Sequence, residues 1–416
     1  MLYPIQEAKL KLAGEQVLLA FDVGCGKTIT AIYHYLKWRR SEDIPLIILA
    51  PKAKVIERGW DRTIEQVCAE EGVKINYEVL TTDAIKKLTL RQVLYSAFIL
   101  DECHMFKGQS QRGIAFVSLM EQCLQSVCLL SATPASNGWE DCLNYFAGFG
   151  HTDVVVKAPR SKKLTFNKSY ATYGLKEVHV KGGKKRSYMA VQEYHNTEVL
   201  LSKFKRFTLP MSADEIGELP ERTFQDVHFA KPSTYNAIQK HRVRKLPDGT
   251  LDKIDTPSKL SHALRQVSAP QEKVDYLEVI LESTKKNVLV AYVYTEHAVL
   301  IKKMCEKIGK RVYEISGKVK DIPEKDITNS VVLVQYQAGG AGIELQMCDI
   351  TVLFTPTFSF QDYVQLLGRN YGGFRQVNHV HVYRFVCDGL EKSVYYEALD
   401  EKKDFSEQLF FERSIG

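Results

Sequence analysis

The sequence predicts an α/β protein made of two units, each a parallel sheet flanked by helices, with a basic, partly β insertion at the end of the first unit. Short apolar runs alternate with helix-length amphipathic stretches in both halves of the chain. Gly182-Gly183 separates two short runs in the pattern of a hairpin. The 416 residues suffice for two cores. We expect domains at 1–220 and 221–416, with the insertion at about 157–206.

Each half contains apolar runs that are short enough to be buried strands. In the first half these are Val17–Phe21, Leu46–Ala50, Val79–Thr81, Phe98–Leu100 and Val127–Leu130. In the second half they are Val288–Ala291, Arg311–Ile315, Val331–Gln335, Thr351–Phe354 and His379–Phe385. The polar stretch Lys245–Pro257, which contains Asp248-Gly249, predicts a loop near the start of the second unit.

Composition excludes several classes of protein. No apolar run approaches the length of a bilayer span, and the first residues lack the layout of a signal peptide. Nine cysteines include no C-x-x-C pair, so the sequence suggests neither a zinc site nor a disulfide framework. We therefore expect a cytoplasmic protein with reduced cysteines and no membrane partner.

The basic charge is concentrated in one segment. Lys157–Arg206 holds 13 Lys and Arg against 3 Asp and Glu, whereas the rest of the chain holds 43 against 47. Aromatic residues are interleaved with these cations, the mixture that nucleic-acid grooves use: Phe166, Tyr170, Tyr173, Tyr188, Tyr194 and Phe204. Lys184, Lys185 and Arg186, beside the predicted turn, are candidate phosphate contacts. Two alternatives remain open: a solvated basic surface, and tyrosines that pack the hairpin against the first unit.

A glycine-rich turn follows the first predicted strand and precedes a helical stretch, Ile29–Arg39. Its residues Gly24, Cys25 and Gly26 would present backbone N–H groups to a phosphate chain at a helix N-terminus. Lys27 would reach the β- and γ-phosphates, and the Thr28 hydroxyl would ligate Mg²⁺. The pattern predicts an ATP site.

Asp101 and Glu102 come directly after the apolar strand that ends at Leu100. An aspartate at the carboxyl end of such a strand is placed to hold Mg²⁺, and the neighbouring glutamate to accept a proton from attacking water. An Asp-Glu pair often occurs by chance and alone would not indicate a site. The functional interpretation is favoured by the spacing of this pair after the glycine-rich turn and by its position at the end of a strand.

With its glycine-rich turn and its Asp101-Glu102 pair, the chain resembles superfamily 2 helicases and, more narrowly, Swi/Snf-type DNA-dependent ATPases. This resemblance implies two RecA-like lobes. The first-lobe motifs that carry the resemblance are Tyr3–Gln6, Asp22–Thr28, Ala50–Lys52 with Trp60, Asp101–His104 and Ser131–Pro134. The resemblance implies that Gln6 reads adenine and that Lys52 touches the tracked strand. It implies also that His104, Ser131, Ala132 and Thr133 couple hydrolysis to lobe movement. Trp60 itself is expected to be a core anchor.

The second half carries further motifs of the same family. Leu264–Gln266, followed by Lys273, and the stretch that ends at Glu218–Thr223 favour the Swi/Snf type over DEAH RNA helicases. Gln337–Leu345 resembles motif V, and this implies backbone contacts to nucleic acid at Gly339 and Gly340 and to the nucleotide at Gly342.

Gln365–Arg369 resembles the first part of a motif whose arginines contact ATP in this family. Gln365 is assigned to the nucleotide, and Arg369 to the γ-phosphate across the cleft between lobes. The second arginine of the motif falls on Gly372, and Arg375 is the candidate to replace it.

The resemblance implies a DNA-stimulated ATPase that translocates along DNA or unwinds it, with Mg²⁺ as cofactor and with backbone contacts that tolerate any sequence. The chain begins just before the first motif and ends shortly after the last, as in minimal bacteriophage or bacterial forms. We therefore expect work in replication, recombination or repair, with partners from those processes, in the cytoplasm (the host's, if phage-encoded). Two alternatives remain: an RNA helicase, and an ATP-gated DNA-binding or loading module with little hydrolysis.

Overall fold

The computed structural model describes residues 2–135, 138–158, 163–179, 185–217, 220–245, 249–324, 326–336, 345–357, 359–371, 378–396 and 399. The chain divides into two compact units between Gly217 and Glu218. Each unit is built on a six-stranded sheet whose paired strands all run parallel. The predicted α/β class, with two helix-flanked parallel sheets, is confirmed and is consistent with two RecA-like lobes.

The strands of the first unit are β1 (Gln16–Phe21), β2 (Leu46–Ala50), β3 (Tyr77–Thr81), β4 (Ala97–Asp101), β5 (Val127–Leu130), β6 (Val155–Lys157), β7 (Leu164–Phe166), β8 (Ala171–His179), β9 (Lys185–Tyr194) and β10 (Thr208–Met211). The main sheet has the order β10-β1-β5-β4-β2-β3. The four strands β1, β5, β4 and β2 are therefore contiguous, and their carboxyl ends lie along one edge of the sheet.

The sheet of the first unit is buried on both faces, which explains why its strands are continuous apolar runs. Along β1, Leu18 and Ala20 belong to one core cluster, whereas Val17, Leu19 and Phe21 belong to the cluster on the other face. Burying a side chain of this size stabilises the fold by about 1.5–3 kcal/mol. These two cores hold the strands in place, and the motif-bearing loops begin at the carboxyl ends of those strands.

Helices cover both faces of this sheet. They are α1 (Pro4–Leu12), α2 (Lys27–Trp38), α3 (Lys52–Ile56), α4 (Gly59–Glu71), α5 (Leu90–Tyr95), α6 (Gln111–Gln122), α7 (Leu143–Gly148) and α8 (Thr197–Lys205). The Trp60 side chain, at the start of α4, is 2% exposed and lies in the same core cluster as Phe21 and Ile48. It is a core anchor, as predicted.

The basic insertion is two antiparallel pairs, β6 with β7 and β8 with β9. Phe166, Tyr170 and Phe204 are buried in the core of the first unit, so these three rings do not present faces to nucleic-acid bases. Packing against the first unit, the alternative given for the tyrosines, is confirmed for Tyr170. Further along the hairpin, Leu175 and the paired Met189 are exposed, so this part of the hairpin extends into solvent.

The strands of the second unit are β11 (Arg222–Phe229), β12 (Val243–Lys245), β13 (Leu251–Lys253), β14 (Asn287–Tyr292), β15 (Arg311–Ile315), β16 (Ser330–Gln335), β17 (Cys348–Leu353) and β18 (Val380–Cys387). The main sheet has the order β11-β18-β17-β14-β16-β15. Its helices are α9 (Ser233–His241), α10 (Pro257–Gln266), α11 (Pro270–Glu282), α12 (Thr295–Lys307) and α13 (Phe360–Asn370). A π-helical turn, Glu391–Tyr396, follows β18.

Two edge strands and one small hairpin differ from the sequence prediction. β10 and β11 were not predicted, because an edge strand need not be apolar throughout. β10 even contains Pro210, which an edge position tolerates. The predicted loop at 245–257 is wrong in part: β12 and β13 pair antiparallel there, since Asp248-Gly249 marks a hairpin turn as readily as a longer loop. Within the described residues, no helix is long and apolar enough to cross a membrane.

Candidate nucleotide site

The glycine-rich turn connects β1 to α2 and has the backbone of a phosphate cradle. Gly24 and Gly26 have φ angles of 83° and 72°, in the left-handed region that favours glycine. Gly26 immediately precedes the first residue of α2, so N–H groups of the first helical turn point toward the loop. A Cβ atom at Gly26 would lie 2.1 Å from the Nε2 atom of Gln6, so this glycine also permits close packing of α1.

The Lys27 side chain turns back onto its own loop. Its Nζ donates hydrogen bonds to the carbonyl oxygens of Phe21, at 2.8 Å, and Asp22, at 2.9 Å. Desolvation lowers the pKa of this ammonium, while the Glu102 carboxylate opposes that shift. Thr28 follows in the first turn of α2 and is half-buried. Cys25 is buried, and burial raises the pKa of its thiol to about 12, so it stays protonated as a loop filler.

Gln6 contacts the glycine-rich turn directly. Its side chain is buried, its Oε1 accepts the Tyr3 N–H at 2.9 Å, and its Nε2 donates to the Cys25 carbonyl at 3.1 Å. The structure therefore brings Gln6 to the glycine-rich turn, and its predicted contact with adenine stays a prediction. Its contacts hold α1 to that turn, a positioning contribution that the sequence did not suggest.

The two carboxylates lie at the end of β4. Asp101, the last residue of the strand, is 2% exposed, whereas the Glu102 side chain is 14% exposed. Glu102 has a φ of 52°, a left-handed conformation that is costly for a side chain of this size and turns the chain into the short helical segment Cys103–Phe106. Trp60 Nε1 donates to Asp101 Oδ2 at 3.2 Å, so the core anchor also orients a site carboxylate.

His104 connects the acidic pair to the loop after β5. Its Nδ1 lies 3.3 Å from Glu102 Oε2 and 3.0 Å from Ser131 Oγ, and Ser131 Oγ accepts the Thr133 N–H at 3.1 Å. His104, Ser131 and Thr133 are buried, and desolvation lowers the pKa of His104. A continuous path of contacts therefore runs from Glu102 to Thr133. Ala132 lies within this loop and is half-buried.

A lysine that the sequence analysis missed joins the carboxylates. Lys54 Nζ lies 3.1 Å from Asp101 Oδ1 and 2.9 Å from Asp101 Oδ2. It is also 3.6 Å from Glu102 Oε1. Lys52, the predicted nucleic-acid contact, is exposed two positions earlier on α3. The sequence does not indicate which of these two neighbouring lysines faces β4. A parallel sheet in which β2 lies next to β4 brings α3, the helix after β2, close to the end of β4.

The donor set fits a magnesium ion held together with phosphates. Thr28 and Asp101 offer hard oxygen ligands, which Mg²⁺ prefers. Within the described residues, no three His, Cys, Asp or Glu side chains form a metal site of their own.

In the second unit, the predicted site residues lie on α13. Gln365 is buried and Arg369 half-buried, and the Arg369 carbonyl accepts the Leu345 N–H at 2.9 Å. The next residue, Asn370, fixes the helix: its Nδ2 donates to the Cys348 carbonyl at 2.9 Å and to Thr351 Oγ1 at 2.6 Å. The sequence analysis did not single out this buried amide.

The structure describes only part of the remaining predicted residues. Lys185 and Arg186 belong to β9, where their backbones pair with His179 and Val178 on β8. Lys184, Gly339, Gly340, Gly342 and Arg375 lie outside the described residues.

Comparison with known proteins adds a family assignment for part of the second unit. Residues 272–371 match the family described as "Helicase conserved C-terminal domain". The match supports a helicase of superfamily 1 or 2. It covers most of α11, all of α12 and α13, and the strands between them; Gln365 and Arg369 lie on α13. No curated protein matches the chain. The two RecA-like sheets and this domain together indicate a helicase-type nucleic-acid enzyme, a class that typically uses ATP.

Proposed function

We propose that this chain is a DNA-stimulated ATPase of superfamily 2, Swi/Snf type, that moves along DNA or separates its strands. The observation that supports the proposal best is the arrangement of motif-bearing loops in the first unit. The loops after β1, β5, β4 and β2 follow contiguous parallel strands, so the glycine-rich turn, Ser131–Pro134, Asp101–His104 and Ala50–Lys52 share one edge of the sheet. In open α/β sheets, ligands bind at this carboxyl edge.

In this proposal, residues of the first unit bind and orient ATP. The N–H groups at the start of α2 and the ammonium of Lys27 bind the phosphates, and Gln6 holds the turn that contacts them. Glu102 orients the attacking water and takes its proton. Mg²⁺, bound with the nucleotide through Thr28 and Asp101, would offset charge on the phosphates. Gln365 and Arg369 of the second unit are assigned to the nucleotide by resemblance, and Arg369 would stabilise charge that develops on the γ-phosphate.

The DNA contacts in the proposal are to the backbone. Lys52 is exposed, and the insertion concentrates Lys and Arg around a hairpin that extends into solvent. Phosphate contacts carry no sequence information, so binding is sequence-tolerant and weakens with salt. By resemblance we assign the protein to phage or bacterial replication, recombination or repair, in the cytoplasm.

Phosphate release from ATP, measured without polymer and with single-stranded DNA, duplex DNA or RNA, tests the proposal. Stimulation by DNA above that by RNA is expected. Stimulation by RNA alone would replace the proposal with an RNA helicase. ATP-dependent DNA binding without turnover would replace it with a gated binding or loading module.

A further inference from the structure

Lys54 is placed between the two carboxylates of the site. Its Nζ lies 2.9 and 3.1 Å from the two Asp101 oxygens and 3.6 Å from Glu102 Oε1. The Lys54 side chain is 22% exposed and Asp101 only 2% exposed, so the pair is largely shielded from water. Shielding strengthens the attraction between opposite charges. Lys54 is therefore the principal counter-ion of Asp101.

The contacts of Lys54 and Trp60 use both oxygens of Asp101. Oδ1 accepts from Lys54, and Oδ2 accepts from Lys54 and from the Trp60 indole at 3.2 Å. A divalent cation that binds Asp101 would have to approach within a few ångströms of the Lys54 ammonium, where repulsion between like charges is strong. Lys54 and a metal ion therefore compete for the same carboxylate.

Phosphates would change this competition. Lys27 is already held by the carbonyls of Phe21 and Asp22, and Lys54 is a second cation beside the same site. A polyphosphate offers a lysine ammonium several strong acceptor oxygens. The polyphosphate would attract Lys54 away from Asp101 and would supply oxygen ligands to the metal ion.

We propose that Lys54 is a positioning residue that excludes a free divalent cation from Asp101 and yields it only when a nucleotide's phosphates are present. Metal and nucleotide then enter the site together. The inference rests on the proposed function for the identity of the nucleotide. The test of this inference measures metal binding without hydrolysis, so the inference and the proposed function can fail independently of each other.

The test is Mn²⁺ binding to the full chain, with free Mn²⁺ followed by electron paramagnetic resonance and no nucleotide present. Lys54→Met should bind Mn²⁺ more tightly than the parent, on the order of tenfold, because a repelling charge is removed. The double variant Lys54→Met/Asp101→Asn should not show this gain. Lys87→Met, which removes an exposed lysine elsewhere on the unit, should match the parent. Equal affinities of Lys54→Met and the parent would overturn the proposal.

Two further measurements do not depend on the folding of Lys54→Met. Lys54→Arg keeps the charge and should exclude Mn²⁺ as the parent does; Mn²⁺ binding severalfold tighter than that of the parent would overturn the role of charge. For the parent alone, ADP should increase the Mn²⁺ bound to the protein, after the Mn²⁺ that the same ADP concentration chelates without protein is subtracted. A parent that binds Mn²⁺ equally well with and without ADP would overturn the proposal, whatever the variants do. Absent ATP hydrolysis would contradict only the proposed function.

Discussion

The Nδ1 atom of His104 lies 3.0 Å from the Oγ atom of Ser131. This hydrogen bond joins the loop after β4 to the loop after β5, and both partners are buried. The same nitrogen lies 3.3 Å from Glu102 Oε2. A change at the proposed catalytic base therefore reaches the Ser-Ala-Thr loop through a single side chain.

Ser131→Ala removes this path, and we expect it to separate hydrolysis from movement. The variant should still hydrolyse ATP, while the distance moved along DNA, or the strand displaced, per ATP falls severalfold. Stability should fall by about 1–3 kcal/mol, because the buried His104 ring and the Thr133 N–H both lose a hydrogen-bond partner. Phosphate release and triplex displacement, measured on the same preparation, give the ratio. Ser118→Ala, on α6, is the control, since Ser118 Oγ accepts only a surface hydrogen bond from Gln122 among the hydrogen bonds described. A ratio that does not change would contradict the coupling role.

Two buried histidines predict how stability depends on pH. Burial lowers the pKa of His34 and of His297 from 6.5 to about 4. His34 Nε2 contacts the Gly14 carbonyl at 2.7 Å, and His297 Nε2 the Gln266 carbonyl at 2.9 Å. The unfolded chain binds these protons at a higher pH than the folded chain. The stabilisation is therefore complete above about pH 6.5 and is lost as the pH falls toward 4, by roughly 3 kcal/mol per histidine.

His34→Gln tests this dependence, because the glutamine amide can donate to Gly14 but does not titrate. The free energy of unfolding of the first unit, from urea titrations at pH 7 and pH 5, should change less with pH in the variant than in the parent. His241→Gln, at an exposed position on α9, should keep the parent's dependence. An unchanged slope in His34→Gln would show that other groups set the acid sensitivity.

A buried ion pair holds the second unit together. Lys273 Nζ lies 2.7 and 2.9 Å from the Glu391 carboxylate oxygens, and both side chains are fully buried. Glu391 also accepts the Cys387 N–H at 2.8 Å. Glu391→Gln leaves a buried ammonium without its counter-charge and should destabilise the unit by about 3–5 kcal/mol. The control is the pair Lys307–Glu278, in which Lys307 is 72% exposed and Glu278 21% exposed, and Glu278→Gln should lower the unfolding free energy far less. Similar decreases in unfolding free energy in the two variants would contradict the argument.

The cations beside the predicted hairpin turn predict that the affinity for duplex DNA falls as the salt concentration rises. Replacing Lys184, Lys185 and Arg186 with Gln should weaken duplex binding and reduce the slope of log K against log salt by about 0.9 for each DNA phosphate that the hairpin no longer neutralises. Fluorescence anisotropy at several salt concentrations measures the slope. The same change at three exposed lysines elsewhere on the first unit, Lys11, Lys74 and Lys87, removes equal charge and should have a smaller effect. Equal effects would indicate a general electrostatic contribution without a defined hairpin contact.

The central strands of both sheets were predictable because they are buried on two faces and therefore apolar at nearly every position. β1 and β14 are examples. The edge strands β10 and β11 were not, because an edge strand needs neither continuous apolarity nor, at Pro210, a backbone donor. Edge strands depend on partners far away in the chain, which local patterns do not encode.

The candidate site was predictable where chemistry requires particular residues at fixed spacing. The glycine-rich turn and the Asp101-Glu102 pair are such cases, and the structure places them after β1 and β4, on either side of β5 in the sheet. Lys54 was not predictable: its role comes from the direction that a side chain takes on a five-residue helix. Phe204 illustrates the opposite error, since its place in a basic segment suggested base stacking and its actual place is the core of the first unit.

The proposed function requires that the first unit bind ATP and that Glu102 act as the base in its hydrolysis. The most direct test compares parent and Glu102→Gln for binding of a fluorescent ATP analogue and for phosphate release with saturating duplex DNA. We predict comparable nucleotide binding and, for the variant, hydrolysis reduced at least about 100-fold, the contribution typical of a general base. Equal hydrolysis by the two proteins, or DNA-independent hydrolysis in the parent, would contradict the account.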